Sequence, residues 1–489
     1  MSPRTLFSLL TLAALAVGAS LPACSDADAH TGRPNVVFWL VDTLRADRLS
    51  CYGYGRPTPA FDALARGGVC FEEAHAHANW TQPSVATLLT GCFAPPFSRA
   101  FGDRLPESMT TAPEWFKAHG YATIGRTLTV ATSAQFGFAQ GYDEYLELDR
   151  DLTWLQRKRR ADDVYLAERL VDSALAWIDG PRAPDQPFFL MLHSIDPHEP
   201  YSRHPDVATY AAAATTEMDG SVERLQARKT GGNVFSKAEQ TLLSDLYDEE
   251  VAYNDAQLAR FVDHLRERDL LDDTLIVVVS DHGEELFDRM SIGHGGRNLH
   301  RELTHIPLIL HWPNGLPAGR VVEPLFGAVD AMPTLLDLIG LEPLPGIDGE
   351  SRAWLVRDEP PPHPYRPLVV VEVGKVYRDP IGVRTPELLY VNDRTRRFGE
   401  KGSATGLWQL ASDPRERANT FAQSGDVVRS IESFLTKWET QRVERAKAFI
   451  SPTPVPLDDD SIRRLQELGY LGDDAEPGAN HDKSTNDER

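Results

Sequence analysis

The chain has 489 residues, of which 42% are hydrophobic and 25% are charged, and its formal net charge is −22. This composition and length allow a large buried core, which excludes a wholly disordered protein. The negative charge excludes nucleic acid as a partner, because nucleic-acid binding needs basic surfaces, so an anionic ligand must be attracted by local cations or a metal ion.

The first predicted element is a targeting signal. Arg4 precedes an apolar stretch over residues 6–21 that is short for a membrane span. The stretch ends at Leu21-Pro22-Ala23-Cys24, which is similar to a bacterial lipoprotein signal. We predict a signal peptide over residues 1–23 and a periplasmic or cell-surface lipoprotein held at the membrane by a lipid on Cys24. Ordinary signal cleavage nearby is the alternative, because Pro22 is unusual in such a signal.

Two continuous apolar runs of strand length end in metal-binding residue types. Residues 35–41 precede Asp42, and residues 274–280 precede Asp281 and His282. A short apolar helix is predicted to begin near Gln82-Pro83, directly after Thr81. Ligands of open α/β sheets bind beyond the carboxyl ends of the strands, so Asp42, Thr81, Asp281 and His282 are expected to meet. These ligands suit one divalent metal ion such as Mn²⁺, Mg²⁺, Ca²⁺ or Zn²⁺.

Helical and strand-like stretches alternate between residues 164 and 310. Apolar residues at spacings of three and four over 164–178 precede a strand-like run at 188–192, and a second such face over 258–265 precedes the run at 274–280. This alternation predicts an α/β fold with a large, mostly parallel sheet flanked by helices.

Residues 208–237 show no clear period, which predicts an insertion that covers the ligand crevice. The basic run at 157–160 is predicted as a solvated helix start, with binding of an anionic polymer or lipid headgroup as the alternative.

The pattern changes at the proline-rich residues 359–364. Four short apolar runs follow, at 368–371, 381–383, 388–391 and 407–410, and turn residues separate them. They predict a small antiparallel sheet. We therefore expect a catalytic α/β domain over 34–358, a C-terminal α+β subdomain over 365–472 and a disordered tail over 473–489.

Short motifs extend over most of the chain. In order they occupy residues 35–47, 83–84 with 88–91, 196–201, 280–285, 293–295, 330–336, 348–349, 413–416 and 468–470. Together they resemble the sulfatases, a family of the alkaline phosphatase superfamily. The resemblance implies the alkaline phosphatase-like fold, a divalent metal ion and hydrolysis of anionic esters. It also implies catalytic roles for His198 and His294, as leaving-group acid and anion contact.

The chain departs from the sulfatase pattern at the residue that performs the chemistry. Sulfatases oxidise Cys or Ser of a C/S-x-P-x-R motif to formylglycine, whereas this chain has Thr81 at the first position and Val85 in place of Arg. Oxidation of threonine would give a ketone and not the aldehyde of formylglycine. None of the cysteines Cys51, Cys70 and Cys92 has the required proline two positions later, so we expect no formylglycine. Thr43 also replaces a second metal-binding Asp of many sulfatases, and the family's Gly-Lys-Trp-His block is missing from residues 124–129.

These departures favour phosphoesters over sulfate esters as substrates. Superfamily relatives with an unmodified threonine nucleophile, such as the nucleotide pyrophosphatase/phosphodiesterases, act on phosphoesters. A metal-coordinated Thr81 would attack a phosphodiester or monoester and form a covalent intermediate, which water or another alcohol resolves. Two alternatives stay open, namely a sulfatase that works without formylglycine and a metal-binding pseudoenzyme that recognises anionic glycans.

The other histidines and the cysteines are assigned structural roles. His75, His77, His193, His300, His305 and His311 are predicted to pack or to be hydrated. Cys51, Cys70 and Cys92 are predicted to form at most one disulfide or to be three buried thiols.

Overall fold

The structure, a computed structural model, describes residues 32–93, 103–149, 166–180, 182–211, 216–232, 234–365, 367–373, 380–449 and 456–467. The predicted signal peptide, Cys24, the basic run at 157–160, the motif at 468–470 and the tail lie outside these residues, so their predictions stay predictions. Among the residues described, no helix combines the length and the apolar composition that a membrane crossing requires.

The described residues contain sixteen strands, numbered in chain order. They are β1 (Asn35–Val41), β2 (Val69–Phe71), β3 (Ala74–His75), β4 (Ala122–Thr127), β5 (Glu144–Glu147), β6 (Phe188–Ser194), β7 (Thr274–Ser280), β8 (Glu285–Leu286), β9 (Ile292–Gly293), β10 (Leu308–His311), β11 (Arg320–Val322), β12 (Phe326–Gly327), β13 (Val369–Glu372), β14 (Ile381–Arg384), β15 (Leu388–Asn392) and β16 (Gly406–Gln409).

Eight of these strands form one sheet in the order β11-β2-β10-β7-β1-β6-β4-β5. β1 pairs in parallel with both β6 and β7, whereas β10 runs antiparallel to β7 and β2. Every residue of β1, β6 and β7 is buried, which explains their continuous apolar sequences. The predicted mostly parallel sheet is confirmed.

Eleven α-helices occur in the described part of the chain. They are α1 (Pro59–Arg66), α2 (Thr81–Thr90), α3 (Ala112–Ala118), α4 (Leu166–Ile178), α5 (Val222–Thr230), α6 (Lys237–Glu267), α7 (Arg301–Thr304), α8 (Ala331–Leu338), α9 (Ala353–Arg357), α10 (Gly425–Ala446) and α11 (Asp459–Glu467).

Helices cover both faces of the main sheet. Phe38 of β1 belongs to a core that includes residues of α2, α3, α8 and α9, and the next residue, Trp39, belongs to a second core with residues of α1, α4 and α6. Successive side chains of a strand point to opposite faces, so a buried central strand must be apolar at every position. The helix predicted from the face at 258–265 is the last part of α6, which begins at a Ser236 capping box.

The segment predicted as an aperiodic insertion, 208–237, contains the helix α5. Only Leu225 of this helix is buried. One apolar position cannot produce a visible period, which is why the sequence pattern did not indicate a helix. The Leu225 side chain joins the core that also contains α6.

The four apolar runs beyond residue 364 form the antiparallel sheet β13-β14-β15-β16, which confirms their assignment. One face of this sheet packs on α10, where Val383 and Tyr390 share a cluster with Val428 and Leu435. The described residues from Pro34 onward form one compact unit. The division at residues 358–365 stays a prediction.

Candidate active site

The paired ends of two central strands bring Asp42 and Asp281 together. Val41 is in register with Ser280, so the residues that follow them leave the sheet at the same point. Thr81 is the first residue of α2, and its Oγ1 lies 3.4 Å from Nε2 of His282. The structure therefore places the four predicted metal ligands in one buried cluster.

The donor atoms of this cluster fit a divalent metal ion. One ligand atom each from Asp42, Asp281 and His282 lies within 4.8 Å of the others. His282 Nε2 is 3.7 Å from Asp42 Oδ1 and 3.4 Å from Asp281 Oδ2. Both Asp42 oxygens and Asp281 Oδ2 are buried with no hydrogen-bond partner among the described residues. Burial, followed by the charge of Asp281, raises the pKa of Asp42 well above its ordinary value. A bound cation would compensate these buried charges.

The backbone around the cluster is held in an uncommon conformation. Thr43, directly after Asp42, has φ of 59°, a left-handed value that is costly for a β-branched residue. Its N–H donates to Asp281 Oδ1 at 3.2 Å, and its carbonyl accepts from the Tyr247 hydroxyl at 2.8 Å. Gly283 is required by close approach, since a Cβ there would lie 2.2 Å from the Glu302 carbonyl oxygen. These contacts fix the directions of the two aspartates.

The two histidines implied by the family resemblance lie beside the cluster. The ring centroid of His294 is 4.5 Å from that of His282 and 4.8 Å from that of His198. Nδ1 of His198 donates to the Glu199 carbonyl oxygen, and Nδ1 of His294 donates to Glu284 Oε2 at 3.1 Å. Both bonds favour the proton on Nδ1 and orient the rings, so Nε2 is the nitrogen available for chemistry.

His193, predicted to pack or to be hydrated, lies beside the cluster of Asp42, Asp281 and His282. It lies near the carboxyl end of β6, and its Nε2 is 3.9 Å from Asp42 Oδ2. Its Nδ1 lies 3.1 Å from Thr132 Oγ1, and burial lowers the pKa of His193 to about 4. The available signal was its place at the end of a buried run. Which strand lies next to β1 could not be read from the sequence.

The other histidines of that group have structural partners, as expected. Hydrogen bonds join His75 to Glu73, His77 to the Val370 carbonyl, His300 to Glu416, His305 to the Glu72 carbonyl and His311 to the Leu64 carbonyl.

An ion pair from the insertion reaches the edge of the cluster. Lys229 of α5 lies 2.5 Å and 2.8 Å from the two carboxylate oxygens of Glu199. A Cβ built on Gly293 would be 3.2 Å from Lys229 Nζ and 3.7 Å from Glu284 Oε1, so the ammonium lies close to the His294 loop. Burial raises the pKa of Glu284, the charge of Glu199 adds to that effect, and Lys229 opposes it. Sequence reasoning missed Lys229, Glu199 and Glu284 as parts of the site.

The cysteines lie away from the position of the nucleophile. Cys51, Cys70 and Cys92 are free thiols, which resolves the disulfide alternative. Cys92 follows the far end of α2, where its Sγ is 3.7 Å from the Thr90 carbonyl oxygen. A helix of this length separates it from Thr81 by about 15 Å.

Comparison with known proteins places the chain in a family. The Sulfatase family model matches residues 34–341. The chain belongs to the sulfatase family. It is 25% identical to an N-acetylglucosamine-6-O-sulfatase of Bacteroides thetaiotaomicron, over 90% of this chain and 91% of that protein.

Solved structures of both sulfate and phosphonate ester enzymes share the fold. A structure in complex with its substrate D-glucosamine-2-N,6-O-disulfate has a TM-score of 0.67 at 19% identity and covers 84% of this chain and 98% of its own. The phosphonate monoester hydrolase of Agrobacterium radiobacter has a TM-score of 0.66 at 22% identity, over 84% of this chain and 96% of its own. These structures confirm the predicted fold. Membership of the sulfatase family identifies the protein as an ester hydrolase, which confirms the predicted enzyme class.

Proposed function

We propose that this sulfatase-family protein is a metal-dependent phosphoesterase that cleaves phosphodiesters or phosphomonoesters through a covalent bond to Thr81. The observation that supports the proposal best is the position of the Thr81 hydroxyl, 3.4 Å from His282 in the buried aspartate cluster. A threonine sulfate ester lacks the hemiacetal cleavage route of formylglycine, so turnover of sulfate esters would be slow. If an alcohol replaced water in the second step, the same site would act as a phosphotransferase.

Asp42, Asp281 and His282 would hold the metal ion together with the Thr81 hydroxyl beside His282, and Mn²⁺, Mg²⁺, Ca²⁺ and Zn²⁺ are the candidates. When bound, the ion supplies Lewis acidity, which lowers the pKa of a coordinated hydroxyl and offsets negative charge.

The start of α2 provides an anion site for the attacked group. The N-cap residue Trp80 makes no side-chain hydrogen bond to the first backbone N–H groups of α2, and the first turn contains no acidic residue. Its backbone N–H groups and the helix dipole can therefore stabilise the oxygens of the transferred phosphoryl group. This placement puts the nucleophile and the stabilising donors on the same element.

The histidines would transfer the protons of the reaction. The Thr81 hydroxyl gives its proton to solvent, and its oxygen forms a bond to phosphorus while the bond to the leaving oxygen breaks. The leaving oxygen takes a proton from Nε2 of a doubly protonated His198 or His294 ring, which becomes neutral. A water molecule then gives a proton to that Nε2 while its oxygen bonds to phosphorus, the bond between Thr81 and phosphorus breaks, and the Thr81 oxygen takes up a proton from solvent. The Nδ1 bonds of both rings orient the rings for this transfer.

A sulfatase that works without formylglycine is the second candidate. It is favoured by the 25% identity to an N-acetylglucosamine-6-O-sulfatase over 90% of this chain. Both candidates require an anionic ester substrate, and they differ in the atom that Thr81 would attack.

The test is hydrolysis of p-nitrophenyl sulfate, p-nitrophenyl phosphate and bis(p-nitrophenyl) phosphate by the metal-loaded protein and by Thr81→Val. Thr87→Val is the matched control, because Thr87 is equally buried on the same helix. We expect phosphoester cleavage that Thr81→Val abolishes and Thr87→Val retains, together with phosphate on Thr81 in acid-quenched samples. Preferential sulfate cleavage with Thr81 unmodified would overturn the phosphoester proposal. Metal binding without any cleavage would favour the pseudoenzyme.

We also propose that the mature protein is anchored at a periplasmic or cell-surface membrane by a lipid on Cys24. The support is the run Leu21-Pro22-Ala23-Cys24 after an apolar stretch.

A further inference from the structure

A cavity of about 710 Å³ lies beside the segment that follows β8. Five arginines line it, namely Arg45, Arg48, Arg301, Arg415 and Arg417, and we call it the arginine cavity. The carboxylates in its wall belong to Asp47, Asp288 and Glu302. The wall therefore has an excess of positive charge, in a chain whose formal net charge is −22.

The carboxylates of the cavity already have cationic partners. Arg45 donates to both oxygens of Asp47 at 2.9 Å and to Asp288 Oδ2 at 2.6 Å. Glu302 Oε1 accepts from Arg289 Nε at 2.6 Å. Each of the three carboxylates therefore has a cationic partner other than Arg301, Arg415 and Arg417, and Asp47 and Asp288 share the Arg45 guanidinium.

Three arginines at the cavity have little anionic compensation. Among the described residues, the exposed Arg415 guanidinium has no hydrogen bond or ion pair, and that of Arg417 donates to the Asp288 carbonyl oxygen. Arg301 donates to the Pro414 carbonyl at 3.2 Å and to a His305 nitrogen at 3.1 Å, with Glu73 Oε1 at 3.6 Å. Guanidinium groups that line one cavity can donate charge-assisted hydrogen bonds to carboxylate, phosphate or sulfate oxygens.

The backbone that presents these arginines is held in place before any ligand binds. Glu416, fully buried between Arg415 and Arg417, accepts from the Arg301 backbone N–H at 3.1 Å. The Arg415 carbonyl accepts from Arg289 at 3.1 Å. One buried carboxylate thus links the two segments, which reduces the ordering cost of binding.

The arginine cavity also adjoins the segment that supports the active site. Arg45 donates to the Glu284 carbonyl oxygen at 3.0 Å, and the Glu284 side chain accepts from His294 at 3.1 Å. Residues 284–288 therefore separate the two sites.

We propose that the arginine cavity is a second anion-binding site that takes a phosphate, sulfate or carboxylate group. The group belongs either to a polyanionic substrate, at a position other than the reacting ester, or to a free anion. The assignment to a polyanionic substrate rests on the proposed function. The binding of an anion in the arginine cavity does not depend on it.

The test is calorimetric titration of the metal-loaded full chain with inorganic phosphate and with dextran sulfate. Arg415→Gln/Arg417→Gln is compared with the wild type and with Arg429→Gln, whose arginine is 72% exposed and pairs with Asp426. We expect the double variant to bind at least one probe about tenfold more weakly or worse, as loss of charge-assisted hydrogen bonds predicts, and the control to match the wild type. Phosphate that binds at the cluster of Asp42, Asp281 and His282 contributes equally in all three proteins, so it does not affect the comparison.

The probes separate the two sources. Weaker binding of dextran sulfate in the double variant identifies a polyanionic substrate, and an effect confined to inorganic phosphate identifies a free anion. Unchanged binding of both probes in a folded double variant overturns the proposal. Arginine-dependent binding without any phosphoester cleavage would refute the proposed function and leave the arginine cavity intact.

Discussion

Replacement of Glu416 by glutamine tests how the C-terminal sheet supports the active site. The Glu416 side chain is fully buried and accepts from Arg384 of β14, whose side chain is 2% exposed, and from His300 Nδ1 at 2.8 Å. Glutamine removes the charge and leaves the Arg384 guanidinium buried without its anion. Breaking a buried ion pair by changing one partner costs about 3–5 kcal/mol, and the remaining amide oxygen favours the lower end of that range.

The assay is urea unfolding at pH 7 for the wild type, Glu416→Gln and Glu217→Gln. Glu217 pairs with Arg224 at 3.1 Å, but these side chains are 87% and 48% exposed. We expect the free energy of unfolding to fall by about 3 kcal/mol in Glu416→Gln and by less than about 1 kcal/mol in the control. Catalysis should also weaken, because His300 ends the loop that contains His294. Equal losses in the two variants would refute the reasoning.

The difference in free energy of unfolding between the wild type and Glu416→Gln should depend on pH in a defined direction. The Arg384 charge and the His300 hydrogen bond hold the pKa of Glu416 below its ordinary value. A carboxylate with a lowered folded pKa stabilises the protein above its unfolded pKa of about 4.3, and that contribution is lost as the pH falls toward the folded pKa. The difference in free energy of unfolding between the wild type and Glu416→Gln should therefore have its full size at pH 7 and become smaller below about pH 4. A gap that widens on acidification would contradict the assignment.

Three other predictions follow from the site and the signal. Asp42→Asn relieves repulsion between buried carboxylates, so the metal-free Tm should stay equal or rise while the Mn²⁺-induced rise in Tm disappears; a retained Mn²⁺ effect would contradict the ligand assignment. Lys229→Met leaves Glu199 uncompensated, so kcat/KM for an anionic ester should fall by about tenfold or more, whereas Arg224→Met on the same helix should change it less than about twofold. Equal effects would exclude a specific role for Lys229. Cys24→Ser should move the protein from the membrane fraction to the soluble fraction, and an unchanged distribution would refute acylation.

Much of the candidate site could be predicted because its residues have strong local signals. Asp42 and Asp281 each follow a long apolar run, and a strand buried on both faces needs such a run. Thr81 precedes the proline of a helix start. The C-terminal sheet was equally visible, since turn residues separate its four short strands.

Lys229, His193 and Glu416 could not be assigned in the same way. Lys229 is on a helix with one buried residue, and its partner Glu199 is thirty positions away. His193 reaches the site because β6 is next to β1, and Glu416, which follows β16, accepts a hydrogen bond from Arg384 of β14. Each assignment depends on which elements become neighbours.

The sequence by itself determined the α/β class, the strand-end aspartates, the threonine at position 81 and the resemblance to sulfatases, because burial and helix initiation act through adjacent residues. Only the tertiary structure decided the strand order, the histidine arrangement, the Lys229 ion pair and the arginine cavity. These features join residues distant along the chain, and the packing of helices and strands against one another sets their separations.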